Sequence, residues 1–269
     1  MRVFAISDPH LSLGRPDKSM TVFGEVWANH PWPMAERWRE VVAPEDIVVV
    51  PGDISWAMKL DGALPDLELL AGLPGRKVLV RGNHDYWWQS IGRVRAALAD
   101  GMYAIQNDAV LVDGVAVAGC RLWDNPEVGL EGLAWREGYW ATLERSGGSL
   151  MVARAGVSHL EAREPEPPER TEQILTRELE RLRASLSKLP GDARLRVAAV
   201  HYPPVGPSLK PTRASELLEA ARVDHCVFGH LHGVDPARQK PLLGERNGVR
   251  YWICSCDMLD FRPIEIARV

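Results

Sequence analysis

Lys77-Val78-Leu79-Val80-Arg81-Gly82-Asn83-His84-Asp85 decides how the rest of the chain is read. An apolar run of strand length stops on Gly-Asn, and a helical stretch follows. Gly takes positive φ freely and Asn tolerates it better than most residues, so the backbone can turn sharply there. Residues past the turn are then held at the carboxyl edge of a sheet, where open α/β proteins place ligands. The Asn83 side-chain oxygen is a neutral metal ligand. The His84 imidazole can hydrogen-bond or carry a proton, and Asp85 is placed to orient that ring. Arg81 either reaches a phosphate oxygen bidentately or is a surface charge at a strand end.

The same grammar recurs along the chain. Asp8-Pro9-His10 closes the apolar run Val3-Phe4-Ala5-Ile6, and Gly52-Asp53 closes Ile47-Val48-Val49-Val50. His201 closes Val197-Ala198-Ala199-Val200, and Gly229-His230-Leu231-His232 closes Cys226-Val227-Phe228. If these strands are parallel, Asp8, Asp53, Asn83, His10, His201, His230 and His232 converge on one edge. Seven N and O donors are too many for one divalent ion and suit two ions that share a bridging carboxylate. No thiolate is offered, so a hard or borderline metal is indicated: Mn²⁺ first, with Fe or Zn²⁺ as alternatives.

Asp8-x-His10, Gly52-Asp53, Gly82-Asn83-His84-Asp85, His201 and Gly229-His230-x-His232, in that order, resemble the motifs of the calcineurin-like metallophosphoesterase superfamily. The resemblance runs from residue 8 to residue 232. It implies one metal on Asp8, His10, Asp53 and His232, and a second on Asp53, Asn83, His201 and His230, with Asp53 bridging. It also implies that His84 is no ligand but faces the phosphate and acts on the leaving group. The fold it implies is a four-layer α/β sandwich.

The chain has 269 residues, 46% of them hydrophobic, enough for a real core, and we read residues 1–269 as one domain. The net charge of −4 argues against a groove for long nucleic acids, while leaving room for a small anionic substrate drawn by metal charge. Cys120, Cys226, Cys254 and Cys256 form no CxxC pair and read as small buried hydrophobes of a reducing compartment. The first strand begins at Arg2 and no apolar stretch approaches about 18 residues, so a cytoplasmic protein without membrane contact is expected.

The first hundred residues alternate strand and helix: strand 2–7, a helix on Ala35, Trp38, Val41 and Val42, a second helix over 61–73, and a third on Ile91, Val94 and Leu98. That alternation predicts a parallel sheet. Asp113-Gly114 and Asn247-Gly248 then mark two hairpins, because both dipeptides accept the positive φ of a type I′ turn. Parallel units plus hairpins predict two mixed β-sheets packed face to face with helices outside. After the break at Glu164-Pro165-Glu166-Pro167-Pro168, leucines at spacings of three and four predict an amphipathic helix over 171–189 that packs on the domain, with partner binding as the alternative. The Gly/Pro-bearing stretch 11–33 is either a rim of the site or an ordinary surface excursion.

Two metal ions can clamp the attacking and leaving oxygens of an in-line displacement at phosphorus. A bridging hydroxide is the expected nucleophile, attacking directly, with His84 protonating the leaving alkoxide or donating to the phosphoryl oxygens. His30, His159 and His225 lack companions at ligand spacing and read as structural. Trp56, Tyr86, Trp87, Trp88, Trp123, Trp135 and Trp140 crowd the motifs, either as a stacking platform for an aromatic group or as core anchors. The expected activity is hydrolysis of a small phosphomonoester or phosphodiester. The competing reading is a non-catalytic metal-binding scaffold of the same fold that binds a protein.

Overall fold

The computed structural model describes residues 1–136 and 167–269. Trp140 and His159 lie outside the described residues, as does most of the break before the long helix. One sheet is built from β1 (Arg2–Ala5), β2 (Ile47–Pro51), β3 (Arg76–Val80) and β4 (Met102–Ile105), all parallel. Helices α1 (Trp32–Val41), α2 (Leu60–Ala71) and α3 (Ile91–Ala97) make the crossovers between them. A final strand lies antiparallel beside β1 and completes the order given below.

The second sheet starts with a hairpin of β5 (Ala109–Val112) and β6 (Val115–Cys120), joined by Asp113 and Gly114 at φ 46° and 86°. It continues through β7 (Leu195–Val200) and β8 (His225–Phe228). It ends in a hairpin of β9 (Leu242–Arg246) and β10 (Val249–Ile253), turned by Asn247 and Gly248 at φ 46° and 83°. With β11 (Ile264–Arg268), the orders are β11-β1-β2-β3-β4 and β5-β6-β7-β8-β10-β9. β6, β7, β8 and β10 run parallel and the hairpin partners lie at the edges.

Strand periodicity explains the layers. Val197, Ala199 and Val227 belong to the core shared with the first sheet. Their neighbours Ala198, Val200, Cys226 and Phe228 turn to the other face and pack with α4 (Pro168–Leu186) and α5 (Arg213–Ala220). Both faces of these strands are buried, which is why they read as unbroken apolar runs and not as alternating ones. The result is a four-layer α/β sandwich of two mixed sheets. α4 begins on Pro168, where a missing N–H costs nothing, and seats Leu175, Leu179, Leu182 and Leu186 against the second sheet. All four cysteines are buried and unpaired. Among the described residues, no helix is long and apolar enough to cross a membrane.

β4, β11 and α5 carry too little sequence signal to be read in advance. The first two are short strands recognisable only by the neighbours they pair with, β3 and β1. α5 has eight residues and starts on a capping box between Thr212 and Ser215, outside the Ser/Thr-x-x-Glu/Gln pattern.

Candidate metal centre

Parallel strands put their carboxyl ends on one rim. β1, β2 and β3 of the first sheet and β7, β8 and β10 of the second all end there. The rim is stitched together by backbone: Ser7 N–H donates to the Cys254 carbonyl at 2.6 Å, Cys256 N–H donates to the Ser7 carbonyl at 2.9 Å, and Asp8 N–H donates to the Gly52 carbonyl at 3.0 Å. Asp8, His10, Asp53 and His230 all take positive φ, at 56°, 43°, 51° and 69°. For residues with a Cβ this is a costly backbone, and it gathers here because the turns must aim these side chains inward.

The seven donors expected from the sequence meet at this rim. The Nε2 atoms of His10 and His232 lie 3.1 Å apart. Asp53 Oδ2 lies 3.6 Å from His10 Nε2 and 3.4 Å from His201 Nε2. Asp8 Oδ1 lies 3.7 Å from His232 Nε2 and 3.9 Å from His201 Nδ1. Asn83 Oδ1 is 2.5 Å from His201 Nε2. The His230 ring sits 5.2 Å from that of His201, and its backbone N–H donates to both Asp8 oxygens at 3.1 and 3.0 Å.

Two triads, Asp8/His10/His232 and Asp8/Asp53/His201, each bring one donor atom per residue within 4.8 Å of one another. Burial opposes charge on His201 and His232. The carboxylates beside them, Asp53 and Asp8 for His201 and Asp257 and Asp8 for His232, outweigh burial and hold both rings up to about 9. Metal binding would have to displace those protons. Among the described residues, His10 Nδ1 is a buried nitrogen with no hydrogen-bond partner. Donor types, their burial and their convergence therefore fit divalent ions.

The motif glycines have a steric reason. A Cβ on Gly82 would meet Asp53 Oδ1 at 2.1 Å, and one on Gly229 would meet Asp8 Oδ2 and Ser7 Oγ, both at 2.1 Å. Each carboxylate lies directly against a glycine of another motif.

His84 is half-buried, its ring 4.6 Å from Trp56 and 5.6 Å from His10, and its backbone N–H donates to Asp53 Oδ1 at 2.8 Å. Burial lowers its pKa. Asp85 does not orient this ring, which corrects the sequence expectation. Its Oδ1 accepts from Ile54 N–H, Ser55 N–H and Trp87 Nε1–H at 2.9, 3.1 and 2.8 Å, and its Oδ2 accepts from Gly82 N–H at 2.8 Å. Asp85 is fully buried and binds the loop after β3 to the loop after β2; burial, with Asp53 nearby, raises it to about 6. Arg81 also stands apart from the donor cluster. It lines a small cavity with Arg121, Glu178 and Arg181.

The aromatics divide. Trp87 and Trp88 are core residues. Trp56 stacks on His10 with ring centroids 4.8 Å apart, and Trp27, from the 11–33 stretch, lies 5.8 Å from His232. That stretch therefore walls the site. His30 and His225 bond to Pro9 O and to Trp252 Nε1, as structural histidines do.

One residue of the centre escaped sequence reading. Asp257 Oδ1 lies 2.9 Å from His232 Nδ1, and its Oδ2 accepts from Gly233 N–H at 2.7 Å. The signal existed, since Asp257 follows the apolar strand β10 just as Asp8 and Asp53 follow theirs.

A family model described as calcineurin-like phosphoesterase matches residues 1–234. No curated protein matches the chain in sequence. Among solved structures, a phosphopantetheinyl hydrolase from Mycobacterium tuberculosis is similar at TM-score 0.53 and 17% identity, covering 100% of this chain and 96% of that one. A protein of unknown function from Aquifex aeolicus is similar at TM-score 0.44 and 15% identity, covering 98% and 95%. The likeness to the hydrolase concerns the fold alone.

Proposed function

The chain belongs to the calcineurin-like phosphoesterase family, a metal-dependent phosphoesterase by that membership, and from this premise we propose that it is a binuclear hydrolase of small phosphomonoesters or phosphodiesters. The observation that carries the reading is the meeting of Asp8, His10, Asp53, Asn83, His201, His230 and His232 on one rim, with Asp53 Oδ2 between His10 and His201. Asp8, His10, Asp53 and His232 would hold one ion, and Asp53, Asn83, His201 and His230 the other. Mn²⁺ is the first candidate for both. When bound, such ions supply Lewis-acid charge and bring the pKa of a coordinated water toward 7.

The protein's own groups supply the rest. His84 sits beside the donor cluster without belonging to it and is the group that gives a proton to the leaving oxygen. Trp56 packs against His10 and His84 and limits their rotation. Water attacks phosphorus directly, and no protein nucleophile is needed. We treat residues 1–269 as one domain, because β10 and β11, beyond the matched 1–234, complete the two sheets.

The test is hydrolysis of p-nitrophenyl phosphate and bis(p-nitrophenyl) phosphate by Mn²⁺-loaded protein, with a chelator control and a metal count. Turnover that chelation abolishes, at two ions per chain, is the expected result. Failure with both esters at full metal loading would move the reading to a protein-binding scaffold.

A further inference from the structure

Three arginines surround one carboxylate on the same rim. Arg81 precedes Gly82 after β3, Arg121 follows β6 and Arg181 projects from α4; with Glu178, Gln106 and Asn107 they line one cavity. Glu178 Oε1 accepts from both Arg121 Nη2 at 3.2 Å and Arg181 Nη1 at 2.6 Å. Arg81 has neither a hydrogen-bond nor an ion-pair partner among the described residues, and its Nε is shielded from solvent. One carboxylate hydrogen-bonded to two guanidinium groups leaves the third without a hydrogen-bonded anion. Asp85 gives Arg81 no hydrogen bond either, because its oxygens accept from four N–H donors.

The cavity flanks the metal centre, since Arg81 stands two residues before Asn83 and Arg121 is bonded through its backbone to His201. The Arg121 carbonyl accepts from His201 N–H and Tyr202 N–H at 3.2 and 3.0 Å. The Arg121 guanidinium lies 4.6 Å from the Trp123 ring. Trp123 is 5.4 Å from the Tyr202 ring, which is 4.1 Å from that of His230. A molecule with its scissile phosphoryl group at the donor cluster would have the arginines to one side of it, behind Tyr202 and Trp123. Guanidinium forks match the oxygens of a phosphate better than any neutral group does.

We infer that Arg81, Arg121 and Arg181 form an anion subsite that holds a second, uncleaved phosphate group of the substrate. The inference rests on the hydrolase reading and names the substrate class: small esters bearing two phosphate groups. Arg81 then serves the distal phosphate instead of the one that is cleaved.

The experiment has two arms. In chelator-stripped protein, inorganic phosphate is titrated by calorimetry and tryptophan fluorescence; saturable binding is expected, weakened about tenfold by Arg181→Gln and by Arg121→Gln, one charge-assisted contact each. In metal-loaded protein, KM is compared for adenosine 3′,5′-bisphosphate and AMP. Arg181→Gln should raise the first about tenfold more than the second, with kcat little changed. No phosphate binding to stripped protein overturns the subsite. Phosphate binding without a KM split assigns the cavity to a free anion and overturns the substrate assignment. Turnover of p-nitrophenyl phosphate reads on the hydrolase assignment alone, so its loss with phosphate binding intact counts against that assignment and not against the subsite.

Discussion

His232 Nδ1 lies 2.9 Å from Oδ1 of Asp257, a carboxylate with no exposed surface whose second oxygen is taken by the Gly233 N–H. The bond fixes the ring so that Nε2 faces His10 and Asp8. A carboxylate behind a metal-binding imidazole also raises its basicity. Asp257→Asn should therefore lower metal affinity by roughly 10–100-fold while the fold persists. Competition with a graded chelator, alongside circular dichroism, measures this. Unchanged affinity would reduce Asp257 to a structural partner of Gly233.

Asp53 touches both halves of the donor cluster. Asp53→Asn keeps the shape and removes the charge, so its cost in metal binding should exceed the roughly 10–100-fold typical of an outer partner, and turnover should go with it. Metal analysis after dialysis decides the matter. Retention of two ions per chain would contradict the bridging assignment.

His84 lies beside the cluster and donates only its backbone N–H to Asp53. His84→Ala should keep both metals and lose about 10²–10⁴-fold in kcat, the usual worth of a positioned acid. The loss should be smaller for an ester with a good leaving group, such as bis(p-nitrophenyl) phosphate, than for an alkyl ester. Equal losses would argue that His84 acts on the phosphoryl oxygens instead.

Gly82→Ala would drive a methyl into Asp53 Oδ1 and the Asp53 backbone nitrogen, at 2.1 and 2.2 Å. Overpacking of this kind costs about 1–3 kcal/mol, and here it also displaces the Asp53 carboxylate. Gly92, in α3, has open space where a Cβ would stand. Gly92→Ala should be neutral or stabilise by up to about 1 kcal/mol through helix propensity. The urea midpoint should fall for Gly82→Ala and hold or rise for Gly92→Ala.

His30 is half-buried, and burial draws its pKa from 6.5 down to about 4 despite the bond to Pro9 O. The folded state thus binds its proton less readily than the unfolded chain does. Stability from the neutral ring is fully present above pH 6.5 and is lost as the pH falls from 6.5 through about 4. The full loss is on the order of 3 kcal/mol. In chelator-stripped protein, His30→Gln should show a correspondingly smaller drop in stability between pH 7 and pH 4 than the wild type. Parallel curves would show that His30 does not titrate on unfolding.

The sequence by itself determined the local facts. Each apolar run that ends on Asp, Asn or His is a strand with a donor just past its carboxyl end, because strand period and turn chemistry act over a few residues. Asp113-Gly114 and Asn247-Gly248 form their hairpins for the same reason. Only the tertiary structure decided which strands lie side by side and in which direction. β10 runs antiparallel to β9 by its own turn, but parallel to β8 by long-range pairing, and that pairing carries Asp257 to the rim behind His232. Asp85 bonds Ile54 and Ser55, and Arg81 meets α4, for the same kind of reason. Contacts between residues distant in the chain depend on the packing of whole layers, and no window of sequence contains both partners.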